Sequence, residues 1–228
     1  PEHRHRVAVI SATLLALFLA ALDALIMSAA MPTVVGELGS MSLYSWVYSA
    51  YFLARAVSLP IFGKLADLLD TRKLFSASIA IFLLASVVAG LATTMMMLIV
   101  ARIFQGIGAG GIFSLVYIVL ADVSEPGRRG RTLSFASSVW GISSVLGPTL
   151  GGMIVSYFSW RWIFFINIPL GLLSIWTINA FLSGADKKRT KISLDVAGAI
   201  TLSAAILLFL FGFLFAGKGV PLSSPPVW

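Results

Sequence analysis

The sequence contains no cysteine, little charge and only two histidines, both within its first five residues. The absence of cysteine excludes disulfide bonds and thiolate metal sites. His3 and His5 precede the first apolar stretch, so no histidine is available inside one as a base or ligand. Charged residues make up 11% of the chain and hydrophobic residues 59%, which leaves too little polar surface to cover a soluble domain. This composition predicts an integral membrane protein.

Seven apolar stretches are each long enough to cross a hydrocarbon core of about 30 Å. They cover residues 7–31, 46–62, 74–91, 96–120, 133–157, 162–182 and 196–216. The first stretch is too long for the apolar core of a signal peptide, which has about 7–15 residues, and it contains Asp23. We therefore interpret it as a transmembrane span rather than a cleaved leader.

The positive charge is concentrated in every second gap between these stretches. The basic residues before the first stretch and after the second, fourth and sixth are Arg4, Arg6, Lys64, Arg72, Lys73, Arg128, Arg129, Arg131, Lys187, Lys188, Arg189 and Lys191. Cytoplasmic loops collect Lys and Arg, so the pattern predicts a multi-pass protein of the cell inner (plasma) membrane with a cytoplasmic N-terminus. Because these clusters explain the net charge of +7, we expect no nucleic-acid partner.

Three ionisable residues lie inside the predicted spans, namely Asp23, Arg55 and Arg102. Such groups face a protein interior or a water-filled cavity and often belong to proton pathways. Asp23 is the only acid in a span, so we predict that it carries protons and attracts cationic substrate. A structural ion pair with Arg102 or Arg55 is the alternative, and a paired acid can still titrate. Arg102 is predicted to face the same cavity, with Gln105 one turn along.

Small residues are concentrated in the fourth and fifth spans. Gly141, Pro148 and Gly152 are spaced by seven and four residues and share one helical stripe. Small side chains let membrane helices approach closely, and the missing amide of Pro148 predicts a bend one turn earlier. The stripe is therefore predicted to pack against another helix. Gly147 and Gly151 lie off the stripe and are predicted to tolerate alanine better than Gly141 and Gly152 tolerate leucine.

The predicted cytoplasmic gaps after the second and fourth spans carry acids ahead of basic residues. Acids at one helix end and bases at the start of the next would pair and latch one conformation, although exposed ion pairs are individually worth under about 1 kcal/mol. The residues predicted to act in this gating are Gly63, Asp67, Arg72, Lys73, Asp122 and Arg129.

Several of these segments resemble signatures of the major facilitator superfamily. Residues 63–67 are similar to its loop 2–3 signature, although Asp70 and Thr71 replace a Gly-Arg pair. Residues 98–106 are similar to a fourth-span motif whose arginine is implicated in proton coupling, which corresponds to Arg102 here. Residues 141–152 resemble the antiporter motif and supply Gly141, Gly147, Pro148, Gly151 and Gly152. Residues 22–32 and 160–171 are similar to hallmarks of the 14-span drug/proton antiporter branch.

The resemblance implies an all-α integral membrane fold in which residues 1–185 form an N-terminal six-span transporter bundle. Residues 186–228 would form a cytoplasmic linker and a seventh span, the first insert helix, and the C-terminal half would be absent from this chain. The implied function is proton-coupled export of hydrophobic or cationic small molecules by alternating access. The proton gradient is the implied energy source, with no cofactor or metal, and the partners are substrate, protons, the lipid bilayer and the C-terminal half.

Competing functions remain at this point. A facilitator or a proton symporter for a metabolite is the main alternative. A retinal protein would need a lysine deep in its seventh helix, but Lys218 lies at the end. A membrane serine protease would need a base near its nucleophile, and no span contains a histidine. A channel would need a selectivity filter or a ring of charged side chains. A single acid per chain could form such a ring only if several copies of the chain assembled.

Overall fold

A computed structural model describes residues 2–125, 127–182 and 196–216, which are almost entirely helical and include no strand. The α-helices are α1 (Glu2–Leu38), α2 (Tyr44–Leu68), α3 (Thr71–Gly90), α4 (Met95–Asp122), α5 (Arg129–Tyr157), α6 (Trp162–Phe165), α7 (Asn167–Phe181) and α8 (Val196–Ala216). The predicted all-α class is thereby confirmed. The predicted linker at residues 186–195 and the tail at residues 217–228 lie outside the described residues.

Two differences between the helices and the predicted spans affect the interpretation of the sequence. The sixth span is divided into α6 and α7 at Ile166, because Pro169 lacks the amide that would donate to the carbonyl of Phe165. The second and fourth helices extend past their apolar segments to Leu68 and Asp122. Residues that we expected in gating loops, Gly63, Asp67 and Asp122, therefore lie in helix ends, since a helix continues beyond the hydrocarbon region as long as its backbone hydrogen bonds are made.

Five segments among the described residues are long and apolar enough to cross a membrane. They are Arg4–Leu38, Thr71–Gly90, Met95–Asp122, Arg129–Tyr157 and Trp162–Phe181. The remaining helix of the bundle, α2, has 25 residues, but its serines, tyrosines and Arg55 make it more polar. The α2 helix packs against α4, so some of its polar side chains face protein and not lipid.

Glycines on two faces of α4 let this helix approach both α2 and α3. A Cβ added at Gly110 would lie 2.9 Å from the carbonyl oxygen of Arg55 on α2. A Cβ added at Gly108 would lie 2.7 Å from the amide nitrogen of Phe82 on α3. Backbone atoms cannot move aside as a flexible side chain can, so the glycines are required for this separation. The α4 helix is consequently the central element of the bundle.

The packing of α5 corrects one prediction about its glycines. A Cβ at Gly147 would lie 2.8 Å from the Cβ of Leu25, and one at Gly151 would lie 2.6 Å from the carbonyl oxygen of Ile26, both on α1. No atom lies within 4 Å of a Cβ built at Gly141 or Gly152. The prediction that Gly147 and Gly151 tolerate substitution better is wrong for this bundle, because the four-residue spacing from buried Ser143 through them forms the face against α1.

Apolar packing divides the interior into two clusters along the helix axes. One cluster includes Leu17, Phe75 and Leu120 and lies toward the end where the basic residues are found. The other includes Met31 and Trp160 and lies toward the opposite end. The level of Asp23 falls between them on α1, since Ala24 belongs to the first cluster and Ile26 to the second. A polar layer at this level therefore has hydrophobic packing on both sides.

The glycine face of α5 yields a prediction about stability. Gly151→Leu should lower the thermal unfolding midpoint and the yield of folded protein, because overpacking a close contact costs about 1–3 kcal/mol and the opposing atom belongs to the backbone of Ile26. Gly152→Leu is the matched control, since its Cβ points into open space. The two variants should be compared by fluorescence-detected size exclusion and thermal unfolding in detergent. Equal losses in both variants would contradict the assignment of the packed face.

The same pair tests the predicted conformational role of the other stripe. If Gly152→Leu retains the folded yield, a loss of transport in that variant reports a restriction of movement rather than misfolding. A parallel loss of folded protein and transport would instead indicate ordinary packing.

Candidate functional site

Five side chains from four helices meet in the polar layer between the two hydrophobic clusters. Asp23 comes from α1, Ser86 from α3, Arg102 and Gln105 from α4, and Asn167 from α7. Asp23 is 1% exposed and the other four are fully buried. Ionisable and polar groups are buried at this depth only when they are paired and hydrogen-bonded, so the contacts among these five residues determine whether the layer is stable.

Asp23 accepts hydrogen bonds from three side chains. Arg102 Nη1 donates to Asp23 Oδ2 at 2.7 Å, and Asn167 Nδ2 donates to Asp23 Oδ1 at 2.8 Å. Gln105 Nε2 makes a longer bond of 3.3 Å to the same Oδ1. A guanidinium and two amides therefore surround the carboxylate. Each of these donors replaces part of the hydration that the carboxylate loses on burial.

Gln105 connects the ion pair to α3. It lies three residues after Arg102, on the same face of α4, and its Oε1 accepts from Arg102 Nη1 at 3.0 Å. Its Nε2 donates to Ser86 Oγ at 2.8 Å, and Asn167 Nδ2 reaches the same hydroxyl at 3.2 Å. The network thus joins α1, α3, α4 and α7 through one carboxylate, one guanidinium, two amides and one hydroxyl.

Tyr51 of α2 covers the remaining side of Arg102. The guanidinium carbon lies 4.1 Å from the centroid of the Tyr51 ring, which is a favourable distance for a cation–π contact. The buried polar atoms of the layer without a hydrogen-bond partner are Arg102 Nε, Arg102 Nη2, Tyr51 Oη and Asn167 Oδ1. The layer therefore has donors and acceptors that are left without partners among the described residues.

The structure brings together the three residues predicted to act in coupling, Asp23, Arg102 and Gln105. It also decides between the partners considered for Asp23, because Arg102 forms the pair and Arg55 does not. Sequence reasoning missed Asn167 and Ser86. Asn167 lies in residues 160–171, the segment that resembles a family hallmark, and this resemblance could have identified it. Ser86 is one serine in an apolar helix, and nothing in the sequence distinguishes it.

Comparisons with known proteins agree with this architecture. The family model described as Major Facilitator Superfamily matches residues 13–227. The chain belongs to the Major Facilitator Superfamily.

Several relatives of this superfamily chain carry names that refer to multidrug resistance or to efflux. The chain is 36% identical over 210 residues to Multidrug resistance protein 3 of Bacillus subtilis, which covers 92% of the chain and 41% of that relative. It is 37% identical over 217 residues to Efflux pump dotC of Dothistroma septosporum, covering 93% of the chain and 37% of that relative. The chain thus spans about two fifths of the length of these relatives.

A solved structure supports the superfamily fold. The crystal structure of the human organic anion transporter MFSD10 (TETRAN) matches with a TM-score of 0.70 at 19% sequence identity, covering 89% of the chain and 55% of that structure. At this level of identity the match supports the fold alone.

The basic end of this superfamily bundle shows where the predicted gating residues lie. Asp67 Oδ2 is 3.7 Å from Lys64 Nζ within α2, so it does not reach Arg72 or Lys73 on the next helix. Asp70 instead caps α3 by accepting from the amide of Lys73 at 2.9 Å. The expected pairing from one helix end to the next is therefore not made by Asp67, because Lys64 is closer on its own helix.

The remaining gating residues occupy helix ends without an ion pair among the described residues. These are Asp122 at the end of α4, Arg129 at the start of α5 and Arg72 in the first turn of α3. Gly63 lies against α4, where a Cβ would be 3.3 Å from Ser114 Oγ. Their role in gating stays a prediction.

An acid that was not among the predicted gating residues forms ion pairs at the basic end of the bundle. Glu125, in the turn between α4 and α5, forms ion pairs with Arg6 of α1 and, at 3.1 Å, with Arg128. Sequence reasoning did not single out Glu125, because the partner Arg6 is distant in sequence. This contact ties the beginning of α1 to the α4–α5 turn.

The opposite end is joined by Glu37, near the end of α1. Glu37 Oε2 accepts from Trp160 Nε1 at 2.8 Å and from Arg161 Nη1 at 2.9 Å. Arg161 Nη2 donates further to the carbonyl oxygen of Ala92 at 3.1 Å, in the α3–α4 turn. The first two residues of the 160–171 segment therefore connect three parts of the bundle at this end.

The buried pair predicts a strongly non-additive double-mutant cycle. Asp23→Leu and Arg102→Met should each destabilise the protein by about 3–5 kcal/mol, because each leaves an unpaired buried charge. The double variant should recover much of this loss, since two apolar side chains leave no charge behind. Thermal unfolding in detergent measures all three.

Lys64→Ala and Asp67→Ala provide a control cycle on an exposed pair, for which the coupling should stay below about 1 kcal/mol. Additive losses at Asp23 and Arg102 would contradict the assignment of a direct buried ion pair.

Proposed function

We propose that the protein is a proton-coupled secondary transporter that exports hydrophobic small molecules, with Asp23 as the proton-carrying acid. The observation that supports this role is the pairing of the bundle's buried acid with Arg102 at 2.7 Å. Relatives named as a multidrug resistance protein and an efflux pump support the direction of transport.

The physical basis of coupling is competition for Arg102. When Asp23 is charged, it attracts Arg102 and so fastens α1 to α4. When a proton neutralises Asp23, the attraction is lost and the guanidinium is left as an uncompensated charge, a loss of about 3–5 kcal/mol. Because about 1.4 kcal/mol changes an equilibrium constant tenfold, this amount shifts a two-state equilibrium by roughly two to four orders of magnitude. A proton is therefore sufficient to favour a second arrangement of the bundle.

The substrate class follows from the apolar surfaces of the bundle. A cavity of about 760 Å³ lies between α2, α4 and α8, and its lining is almost wholly apolar, with Trp46, Ile103 and Phe211 among the large side chains. This volume suits a drug-sized hydrophobic molecule. Cationic compounds are the second class. Because Asp23 is already paired with Arg102, a cationic substrate could pair with Asp23 only after Arg102 has moved away.

In the complete transporter, the six-helix unit would form one of two bundles that rock about a site at mid-membrane, giving alternating access. We propose that the protein belongs to the 14-span drug/proton antiporter branch, lies in the cell inner (plasma) membrane and has a cytoplasmic N-terminus. The remaining part of the relatives' length would supply the second bundle.

Asp23→Asn should abolish gradient-driven efflux while leaving the protein inserted in the membrane. Asparagine cannot carry the proton, so the partner exchange at Arg102 no longer depends on the gradient. The assay uses inverted vesicles with a fluorescent hydrophobic dye and a proton gradient imposed in either direction. Asp70→Asn is the matched control, because asparagine retains the cap on α3.

Efflux at the wild-type rate in Asp23→Asn would exclude Asp23 as the proton carrier. Movement of the dye across the vesicle membrane in the same direction as protons would favour the symporter alternative. Movement without any dependence on the gradient would favour a facilitator.

Substitutions at Arg102 should change the pH dependence of transport. Arg102→Lys keeps the charge but loses the planar fork that contacts Asp23, Gln105 and Tyr51 together, so we expect partial activity with an altered pH profile. Arg102→Ala removes the competitor for Asp23 and should uncouple transport from the gradient. The measurement is initial efflux rate against pH. Normal transport with an unchanged profile in Arg102→Ala would exclude the coupling role.

A further inference from the structure

Arg55 is a cation in the middle of α2 that the coupling mechanism does not use. Its guanidinium carbon lies 4.8 Å from the ring centroids of both Phe52 and Phe113, and 5.8 Å from that of Tyr51. It takes part in none of the ion pairs among the described residues, and its buried Nη1 has no hydrogen-bond partner there. Its described surroundings are therefore aromatic faces and the hydroxyl of Tyr51 rather than a carboxylate.

The charges inside the bundle do not balance without a further anion. Asp23, the acid of the polar layer, is bound by Arg102 at 2.7 Å, and the ring of Tyr51 lies near both Arg102 and Arg55. The three ionisable side chains of the mid-helix regions therefore carry one excess positive charge. A cation–π contact offsets only part of the lost hydration of a guanidinium, so an anion brought to Arg55 would be attracted strongly.

The position of Arg55 is fixed by the packing of its own backbone. A Cβ at Gly110 would lie 2.9 Å from the Arg55 carbonyl oxygen, so this turn of α2 lies directly against α4. Phe113, one turn further along α4, stacks on Trp140 of α5 with ring centroids 5.5 Å apart. Rings from α2, α4 and α5 thus form a continuous aromatic wall beside one guanidinium, which we call the Arg55 wall (Phe52, Arg55, Phe113 and Trp140).

Part of the Arg55 wall is accessible from outside the bundle, although Phe113 is only 5% exposed. Phe52 is 40% exposed, and Arg55 and Trp140 are half-buried. A planar apolar molecule can lie on these rings while a carboxylate reaches the guanidinium fork, which matches carboxylate geometry in a bidentate manner. A cationic molecule would be repelled at the same place.

We propose that Arg55 binds the carboxylate of an amphipathic aromatic acid and that the Arg55 wall receives the apolar body of this molecule. This inference rests on the proposed transport function and narrows its substrate class from hydrophobic compounds in general to hydrophobic acids. It differs from the cationic class that Asp23 alone suggests.

The test uses three probes with one fluorescent ring system and different charge. Dansylglycine carries a carboxylate, dansylglycine methyl ester is neutral at that position and dansylcadaverine carries an amine. Transport of each by the complete natural protein is measured in inverted vesicles with a proton gradient, and binding is measured by fluorescence in detergent without a gradient. The variants are Arg55→Gln, Arg55→Lys and, as a matched control, Arg4→Gln, which alters an exposed arginine near the N-terminus.

The expected result is that Arg55→Gln lowers the ratio of dansylglycine to methyl ester, in both binding and transport, by about tenfold or more. Arg55→Lys should restore part of the ratio because it keeps the charge, and Arg4→Gln should leave it as in the wild type. An unchanged ratio in Arg55→Gln would overturn the proposal. So would an equal loss of all three probes, since that result means that Arg55 maintains the structure of the protein and does not recognise a carboxylate.

The binding measurement separates this inference from the proposed function. If the wild type binds dansylglycine through Arg55 but the gradient moves none of the probes, the acid-binding site stands and proton-coupled transport fails. If the gradient drives the ester and the amine while dansylglycine does not bind, transport stands and the acid-binding site is overturned.

Discussion

The ion pair between Asp23 and Arg102 is the contact on which the rest of the bundle depends. Two charges removed from water are tolerated only if their partners supply nearly all of the lost hydration. Here the supply comes from Asn167, Gln105 and the face of Tyr51. These groups belong to different helices, so the pair constrains how α1, α2, α4 and α7 are placed relative to one another.

The close approach of α4 to its neighbours makes this arrangement possible. Gly108 and Gly110 remove the side chains that would separate α4 from α3 and α2, and the short distance between backbones brings Ser86 and Tyr51 within reach of Arg102 and Gln105. Hydrophobic clusters lie on both sides of the layer and exclude water from it. In the proposed mechanism, a change of charge at Asp23 would act on these closely packed groups and would favour a switch between two arrangements over gradual deformation.

The ends of the bundle are organised differently from its middle. Ion pairs at the basic end, such as that of Lys64 with Asp67, are exposed and individually weak. At the other end, Glu37 connects α1 to Trp160 and Arg161. Both ends contain contacts that sequence patterns predict poorly, because an exposed acid can pair with any base that the fold brings close. Arg6 and Glu125, which are 119 positions apart, are an example.

The sequence by itself determined the all-helical membrane class and the order of the helices, and it singled out Asp23, Arg102 and Gln105, which the structure brings into contact. It could do so because length, hydropathy and an ionisable group within an apolar run are local properties. The tertiary structure decided which arginine pairs with Asp23, that Asn167 and Ser86 complete the network, and that Gly147 and Gly151 rather than Gly141 and Gly152 face α1. These outcomes depend on the rotation of each helix about its axis, which neighbouring side chains set and which the composition of one helix does not encode.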